Sequence, residues 1–536
     1  MVRSKFLKRG MKSHLTSRFW LKRFLILSAG ALVVVSLSYC YAQRPQTATQ
    51  QQRPRTVSGG RATTLGSGGD LQAAINSAKP GDTITLAAGA TFRGPIVLPA
   101  KKSDASPDSY ITIQTASLDA LPDGVRVSPT QASSMPKIVS PGGQSSIETA
   151  PGAHHYRFIG IEFAPAADSK YIYNLINIGS DEYSELPQFP HHLIFDRCYV
   201  HSTGLGKARR GFALNGGETS ITNSYISGFA GPGDETQGIC GWNGPGPFHI
   251  INNQVEGGGQ NIFFGGGDPR MPGLVPSDVE IRRNFIYKPE DWKGKATIKA
   301  MFEMKNVRRL IIDGNMIIDA HTTTAFALTV RNQGGTAPWS AVQEVQITNN
   351  VIKHANMAVN ILGRDNEHPS QQAKQIRIAN NLFIDMGVDN SAFVQTSGAD
   401  SITVEHNTVQ HTGNVITSYG APTSQFVFSN NILQNNNYGV FCESGKLASC
   451  LPGAVFAKNI IVDNYDSASQ GSPLDRYYPP GNFFPRSLQE VGFVNLAQAD
   501  FRLAETSHFR KRATDGKDIG VDFEELLASG VLKAGQ

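Results

Sequence analysis

Arginine, tryptophan, histidine and acidic side chains gather in a few irregular segments of this chain. Five of these segments, which we call the loop wall, are Gly265–Pro276, Arg331–Ser340, Gly363–Ala373, Ser418–Ser424 and Cys442–Pro452. Their charged and aromatic members include Asp268, Arg270, Arg331, Trp339, Arg364, Asp365, Glu367 and His368. An indole is a flat apolar platform with one N–H donor, which suits the face of a sugar ring. We therefore take Arg270, Trp339, Arg364 and His368 as candidates for binding a carbohydrate substrate.

The three tryptophans beyond the N-terminal segment all lie in polar stretches that contain Gly or Pro. They are Trp242, Trp292 and Trp339. Trp292 belongs to the longer loop Tyr287–Ala300 and is a further sugar-binding candidate. The alternative is that each indole packs beneath its own loop.

Paired carboxylates would indicate another chemistry. Glycoside hydrolysis needs two carboxyl groups about 5 to 9.5 Å apart. Asp234 with Glu235, and Asp365 with Glu367, are the acidic neighbours that a hydrolase would use. Acidic neighbours in loops are commonly just solvated, so a hydrolase is kept as an alternative.

An asparagine recurs in one hydrophobic frame about once every thirty residues, and this repeat must position the loop wall. The repeated residues are Asn253, Asn284, Asn315, Asn350, Asn381, Asn407, Asn431 and Asn459, with Ser224 and Cys198 in the same column upstream. VQITNNVI (345–352) shows the alternation of a strand with one buried face. Spacings of 24 to 35 residues suit one turn of a parallel β-helix, and the shortest are too short for a helical crossover.

The frame has three structural consequences. The chain should bend near each Asn, because Asn tolerates left-handed backbone angles. The Asn amides should bond to one another from coil to coil. The loop-wall segments begin 11 to 16 residues after an Asn, so they should stack along one edge. The alternative is that the Asn pairs mark turns of an antiparallel sheet.

The N-terminal region carries an export signature. Residues 1–42 hold eight Lys/Arg, no acidic residue and one apolar run, and they predict a signal peptide or an N-terminal anchor. The remainder has a net charge of about −3, which gives no case for nucleic-acid binding. We expect an exported protein, periplasmic, at the cell surface or extracellular. A membrane would be involved only through an uncleaved segment, as an inner-membrane anchor.

The remaining boundaries follow composition. Residues 43–62 predict a flexible linker, 63–499 the β-helix domain and 500–536 a C-terminal cap or tail. Export permits disulfides, and Cys442 and Cys450 flank one short loop that they could staple. The alternative is free buried cysteines. The pairs His154–His155 and His191–His192 lack metal-ligand spacing and are typical of turns or the surface.

Two segments resemble a known superfamily. Leu71-Gln72-Ala73-Ala74-Ile75 followed by Lys79–Ile84, and the tail 500–523, resemble the start and the end of secreted right-handed β-helix proteins of the pectate-lyase-like superfamily. The resemblance implies an all-β fold: a single-stranded right-handed parallel β-helix of about 11–13 coils. The amphipathic stretch near Leu71 would be an N-terminal capping helix that covers the open first coil.

A more local resemblance points to catalysis. FEMKNVRRLIIDGNMI (302–317) followed by LTVRNQ (328–333) resembles a pattern in the β-helix lyases that include chondroitinase B and alginate lyases. The resemblance implies that Lys305 removes the proton next to a uronate carboxylate and that Arg331 assists the leaving group. A lysine acts as a base when positive neighbours lower its pKa.

The same resemblance implies calcium as a cofactor that neutralises the uronate carboxylate. In that family, acidic ligands lie several residues before the lysine, where this chain has Ile298, Lys299 and Ala300. Glu303 is then the candidate metal ligand. The alternative is that Glu303 and Lys305 form an outward ion pair on a strand.

Together, these features predict an exported β-helix protein that binds or cleaves polysaccharide, by β-elimination if it is an enzyme. The main alternative is a non-catalytic carbohydrate-binding protein of the cell surface, and the second is a glycoside hydrolase.

Overall fold

Short β-strands wind into a coil whose successive turns stack as three long sheets of parallel strands. The computed structural model describes residues 60–102, 108–319, 321–387, 391–436, 438–467 and 473–532. These residues belong to one compact unit, Val57–Gln536. Each turn of the chain passes through sheet 1, then sheet 2, then sheet 3. The predicted parallel β-helix is therefore confirmed.

Within the described residues, the three sheets contain 14, 13 and 12 strands. Sheet 1 comprises Ala62–Leu65, Thr83–Leu86, Ile111–Thr115, His154–Ile159, His191–Asp196, Gly217–Thr222, Gly246–Ile251, Ser277–Arg282, Val307–Asp313, Val342–Thr348, Lys374–Ala379, Asp400–Glu405, Ser424–Ser429 and Val455–Ala457. Sheet 2 comprises Thr91–Arg93, Lys137–Ser140, Glu162–Pro165, Tyr199–His201, Tyr225–Ser227, Gln254–Glu256, Phe285–Lys288, Met316–Asp319, Val351–Lys353, Leu382–Met386, Thr408–His411, Ile432–Gln434 and Ile460–Val462. Sheet 3 comprises Ile96–Leu98, Ile147–Thr149, Ile172–Gly179, Ala208–Asn215, Gln237–Gly241, Gln260–Phe264, Ala300–Met304, Thr324–Thr329, Met357–Leu362, Ala392–Ser397, Asn414–Ser418 and Val440–Cys442.

Helices are short and lie outside the sheets. The α-helices are Leu71–Ser77, Leu447–Cys450, Leu474–Tyr477, Leu488–Val491 and Phe523–Ser529. The 3-10 helices are Leu118–Ala120, Pro129–Ser134, Leu186–Gln188, Glu290–Trp292 and Leu496–Gln498. Phe493–Asn495 and Asp500–Leu503 form a separate antiparallel pair.

The predicted capping helix is present at Leu71–Ser77. Its N-cap is Asp70, whose carboxylate accepts from the Ala73 amide at 2.9 Å. Leu71 and Ile75 point into the core. The Gln72 amide donates to the Val97 carbonyl and accepts from the Val97 amide, both at 2.8 Å. The helix therefore covers the core and also satisfies the open edge of the first sheet 3 strand.

The Asn side chains form a continuous ladder at the corner between sheets 1 and 2. From Asn253 onward, each Nδ2 donates to the Oδ1 of the Asn in the next coil at 2.9–3.1 Å. Each Oδ1 also accepts from the backbone amide of the preceding ladder residue at 2.8–3.0 Å. The predicted ladder is confirmed, and it continues one coil further than predicted, to Asn482.

The left-handed bend lies one residue before the ladder position. Those residues have φ between +50° and +64°: Arg197, Asn223, Asn252, Arg283, Gly314, Asn349, Asn380, His406, Asn430 and Lys458. The predicted bend near each ladder Asn is therefore confirmed, and the left-handed residue is the one before it. The ladder amide is occupied by coil-to-coil bonds, and its neighbour makes the turn.

The hydrophobic core runs along the axis of the coil. Its inward side chains stack from turn to turn, as Phe158 does on Phe195 and Phe302 on Phe326, both with ring centroids 5.2 Å apart. Burying such a side chain contributes about 1.5–3 kcal/mol. At the far end, Leu474 and Tyr478 join the same core and cover the last turn.

The C-terminal tail returns along the outer face of sheet 2. Leu526 of the last helix is fully buried and packs in one cluster with Val351, Leu382 and Ile384. The Val521 amide donates to Thr408 Oγ1 at 3.0 Å. The tail therefore contacts several coils and leaves the outer face of sheet 3 uncovered by it.

The predicted signal or anchor, residues 1–42, lies outside the described residues, as do all but the last three residues of the predicted linker. Across the part of the chain that the structure describes, none of the helices combines the length and the apolar character needed to span a membrane.

Candidate functional site

The loop wall stands along the edge where sheet 3 leads into sheet 1, because each of its segments follows a sheet 3 strand. Contacts join neighbouring segments. Asp268 Oδ2 accepts from the amides of Gly334 and Thr336 at 3.0 and 2.8 Å. The Asn332 amide donates to Asp365 Oδ2 at 2.7 Å. The segments thus form a connected rim beside the outer face of sheet 3.

The larger depression on this face, which we call the lysine groove, has a volume of about 680 Å³. Its lining includes Tyr173, Arg209, Arg210, Glu235, Gln237, Trp242, Phe263, Lys305 and Gln333. The lining contains three cationic side chains and two acidic ones. It also contains Tyr173, which is 60% exposed. An open, cationic groove with aromatic faces matches the chemistry of an anionic sugar chain.

Lys305 lies at the end of the sheet 3 strand Ala300–Met304, with its side chain only 15% exposed. Its Nζ is 3.3 Å from Gln333 Oε1, 3.8 Å from Glu303 Oε1 and 5.3 Å from the centre of the Phe263 ring. Burial lowers the pKa of Lys305 below its usual range, and the charges of Lys299 and Arg331 act in the same direction. The charge of Glu303 opposes them without reversing the shift.

The floor of the lysine groove is a chain of polar side chains from successive coils. Arg210 donates to Asn174 Oδ1 at 3.2 Å and to Gln237 Oε1 at 3.0 Å. Gln237 donates to Gln260 Oε1 at 2.8 Å, and Gln260 donates to Glu303 Oε2 at 2.5 Å. The guanidinium of Arg210 also lies 4.9 Å from the Trp242 ring. These bonds hold the floor rigid before any ligand arrives.

Glu303 and Glu235 share two donors. Gln260 Nε2 lies 3.0 Å from Glu235 and 2.5 Å from Glu303, and Lys299 Nζ lies 3.2 and 3.1 Å from the same carboxylates. The ion pair between Glu303 and Lys305 that the sequence offered as an alternative is present at 3.8 Å, but it is largely buried, since Glu303 is only 4% exposed. Burial alone would raise the pKa of Glu235, but Gln260 and Lys299 hold that pKa below its usual range.

A second depression of about 600 Å³, the arginine groove, follows in the next coils. It is lined by Arg331, Arg364 and the 44% exposed Tyr419, among others. Arg331 Nη1 lies 2.8 Å from Asn366 Oδ1 and 3.4 Å from Asp365 Oδ1. The Arg331 amide donates to the Lys305 carbonyl at 3.0 Å, so these two residues stand in adjacent turns.

The other predicted sugar-binding residues lie outside the two grooves. Trp292 is buried, 5% exposed, in its own loop. Trp339 donates its Nε1–H to the Leu274 carbonyl at 3.0 Å and belongs to the rim. His368 lies against Gly335. Arg270 is exposed and lies 3.5 Å from Glu182. For Trp292 the structure corresponds to the alternative of an indole packed beneath its loop, because this side chain is buried.

The sequence did not single out Arg209 and Arg210, which line the lysine groove, or Gln260 and Lys299, which contact the lining residue Glu235. The Asn repeat predicts where each coil turns from sheet 1 to sheet 2. It does not predict which residues of neighbouring coils lie side by side in sheet 3. The adjacent arginines at the start of a sheet 3 strand were the available signal. Trp242, which the sequence placed in a polar stretch but did not select for the site, lines the lysine groove.

Cys442 and Cys450 are joined by a disulfide in the last segment of the loop wall, with Cα atoms 5.9 Å apart. Cys198 and Cys240 are free and buried. The disulfide closes a loop at the end of the rim, away from the lysine groove lining.

No protein-family model matches the chain, and no curated protein matches it. Among solved structures, the PL6 family alginate lyase AlyGC aligns with a TM-score of 0.50 at 13% identity, over 86% of this chain and 57% of that chain. The catalytic unit of a thermostable GH87 alpha-1,3-glucanase from Streptomyces thermodiastaticus strain HF3-3 gives 0.48 at 12% identity, over 75% and 68%. Pectate lyase Pel9A gives 0.34 at 14% identity, over 86% and 96%.

These similarities concern the fold. The chain is a right-handed parallel β-helix, and it spans little more than half the length of AlyGC.

Proposed function

We propose that the chain binds a uronate-containing polysaccharide along sheet 3 and cleaves it by β-elimination in the lysine groove. The observation that carries the proposal is Lys305, a partly buried lysine of lowered pKa at the floor of an open cationic groove. Such a lysine holds more of its neutral form near neutral pH than an exposed one does, and a neutral amine is a competent base.

In the proposed reaction, neutral Lys305 Nζ takes the proton from the carbon next to the uronate carboxylate. The electron pair becomes the new carbon–carbon double bond, and the bond to the leaving sugar oxygen breaks. That oxygen takes a proton from water while Arg331 donates a hydrogen bond to it. Lys299 and Arg210 stabilise the negative charge that builds up on the carboxylate. Arg364 and Tyr419 would hold the polymer in the next coils.

Calcium at Glu303 stays a prediction from the sequence resemblance. The Lys299 ammonium lies 3.1 Å from Glu303 and 3.2 Å from Glu235, so it would have to move before either carboxylate could bind the ion. Calcium also prefers six to eight oxygen ligands. The present arrangement does not fit the ion well, and we derive no step through it. Activity in a chelator is therefore expected to equal activity with added calcium, and a strict calcium requirement would contradict this.

One observation favours hydrolysis as the second candidate function. The oxygens of Glu235 and Glu303 that share Gln260 Nε2 lie at 3.0 and 2.5 Å from it. The two carboxylate oxygens are therefore no more than about 5.5 Å apart. This distance is too short for inverting glycosidases, which need roughly 6.5 Å or more, but it is compatible with the spacing in retaining ones. Against this, the pKa of Glu235 is lowered, whereas a general acid needs a raised one.

The test is to incubate the purified chain with alginate, pectate and chondroitin and to follow the ultraviolet absorbance of unsaturated uronate. Replacing Lys305→Ala should lower the rate by about 10²- to 10⁴-fold. The matched control is Lys374→Ala, because Lys374 is exposed on sheet 1, and it should leave the rate unchanged.

Three outcomes would overturn the proposal. An unchanged rate in Lys305→Ala would remove Lys305 as the base. New reducing ends without ultraviolet absorbance would indicate a hydrolase. Binding of all three polymers without any product would indicate the non-catalytic carbohydrate-binding protein.

A further inference from the structure

Four histidines from two adjacent coils lie against one another at the start of two neighbouring strands of sheet 1. His154 and His155 begin one strand, and His191 and His192 begin the next. The register pairs His191 with His154. The His154 and His191 rings stack at 5.2 Å and the His155 and His192 rings at 4.4 Å. None of the four lines the lysine or the arginine groove.

The backbone brings both histidines of each pair to one side. His155 and His192 have φ of 59° and 54°. This left-handed step interrupts the alternation that would send neighbouring side chains to opposite faces. As a result, the two Nδ1 atoms are 2.8 Å apart in the first pair and 2.6 Å apart in the second.

Oxygen acceptors fix the tautomers of two of the rings. His192 Nε2 lies 3.0 Å from Glu218 Oε2, and His154 Nε2 lies 2.9 Å from the Lys101 carbonyl oxygen. The proton of each neutral ring therefore sits on Nε2, and the lone pair on Nδ1 points into the cluster. A hydrogen bond from the outer ring nitrogen to a carboxylate or a carbonyl is how proteins orient metal-binding imidazoles.

The nitrogens are close enough to share one ion. One nitrogen from each of His155, His191 and His192 lies within 4.8 Å of the other two. Around tetrahedral zinc, with bonds of about 2.0–2.1 Å, neighbouring nitrogens are about 3.3 Å apart. The 2.6 Å contact between His191 and His192 has to open slightly. All four residues are partly exposed, so their rings have room to rotate.

We propose that His155, His191 and His192 bind one divalent ion of the zinc class, with Glu218 as a positioning residue for His192. Imidazole nitrogens favour Zn²⁺, Cu²⁺ and Ni²⁺ over Ca²⁺ and Mg²⁺. A water molecule or His154 completes the coordination. The bound ion joins two consecutive coils of sheet 1.

The test is a titration of the chelator-treated full chain with Zn²⁺ by calorimetry, together with thermal unfolding. We expect one equivalent to bind and the melting temperature to rise, because the ion binds the folded chain. The double substitution His155→Ala/His192→Ala should weaken binding at least 100-fold and abolish the rise. Glu218→Gln should weaken binding by about 10- to 100-fold.

His249→Ala is the matched control, since His249 is a sheet 1 histidine beside another carboxylate, 3.7 Å from Glu280. It should leave zinc binding unchanged. Should the double variant fail to fold, X-ray absorption of the zinc-loaded parent decides: three or more imidazole ligands support the site. Oxygen-only coordination, a parent that binds no zinc, or equal binding in the double variant overturns it.

Discussion

Lys305, which lines the lysine groove, and Lys299, six residues earlier, have pKa values that shift in opposite directions. Burial works against the charge of both. Lys299 touches Glu303 and Glu235, and their charges outweigh burial and raise the pKa of Lys299. Lys305 is farther from Glu303, so burial prevails and lowers the pKa of Lys305. One lysine is thus a permanent cation and the other a titratable amine, which is the division of labour that acid–base chemistry needs.

Replacing Glu303→Gln should move the pH–rate profile of the proposed lyase to lower pH. Activity rises with pH as Lys305 loses its proton, and Glu303 is a neighbour whose charge keeps that proton on. Removing the charge lowers the pKa of Lys305 further. The measurement is kcat/KM against pH. Glu344→Gln, an exposed change on sheet 1, should leave the midpoint in place, and an equal midpoint in Glu303→Gln would contradict the assignment.

The hydrogen bonds of the Asn ladder link the corner of each coil to the corners of the neighbouring coils. Asn350, for example, donates to Asn381 Oδ1 and to the Ile312 carbonyl, both at 2.9 Å, and accepts from Asn315. Loss of one amide therefore leaves buried partners without bonds in two other coils.

Replacing Asn350→Ala should lower the free energy of unfolding by about 2–4 kcal/mol, because several buried polar groups lose partners. Asn482→Ala, at the end of the ladder where Asn482 is only partly buried, should cost clearly less. Urea unfolding followed by circular dichroism measures both. Equal losses in the two variants would mean that the ladder does not stabilise the coil through buried bonds.

The Asn frame allowed the sequence to predict the corner, because the apolar residues around each Asn lie within one strand. Asn482 was not predicted as a ladder residue because no regular strand flanks it. Its neighbour Phe483 forms only an isolated bridge with Ile460. The Gln260–Glu303 contact spans 43 residues. It could not be predicted, since the intervening loop hides which residues share a register.

The three faces of the coil have different surroundings. Sheet 3 carries both grooves on its outer face, sheet 2 is covered by the tail, and the histidine cluster begins two strands of sheet 1. The fold class followed from the repeat period. The assignment of faces did not, because it depends on where the tail docks and on which coils carry long loops.

Replacing Leu526→Ala should destabilise the chain by about 2–5 kcal/mol, since Leu526 is fully buried against sheet 2. Leu527→Ala is the matched control, because Leu527 is 43% exposed on the same helix. Thermal unfolding compares the two variants. Similar melting temperatures would show that the tail does not hold the coil together.

The returning tail also changes how the coil can come apart. Repeat units that touch only their neighbours fray from an end, one unit at a time. Here Thr514 bonds to Asn430, Asp522 to Asn380, and Ser529 lies beside Gly314. The C-terminal turns therefore cannot unfold singly while the tail stays bound to them, and a protease is expected to cut first in the tail.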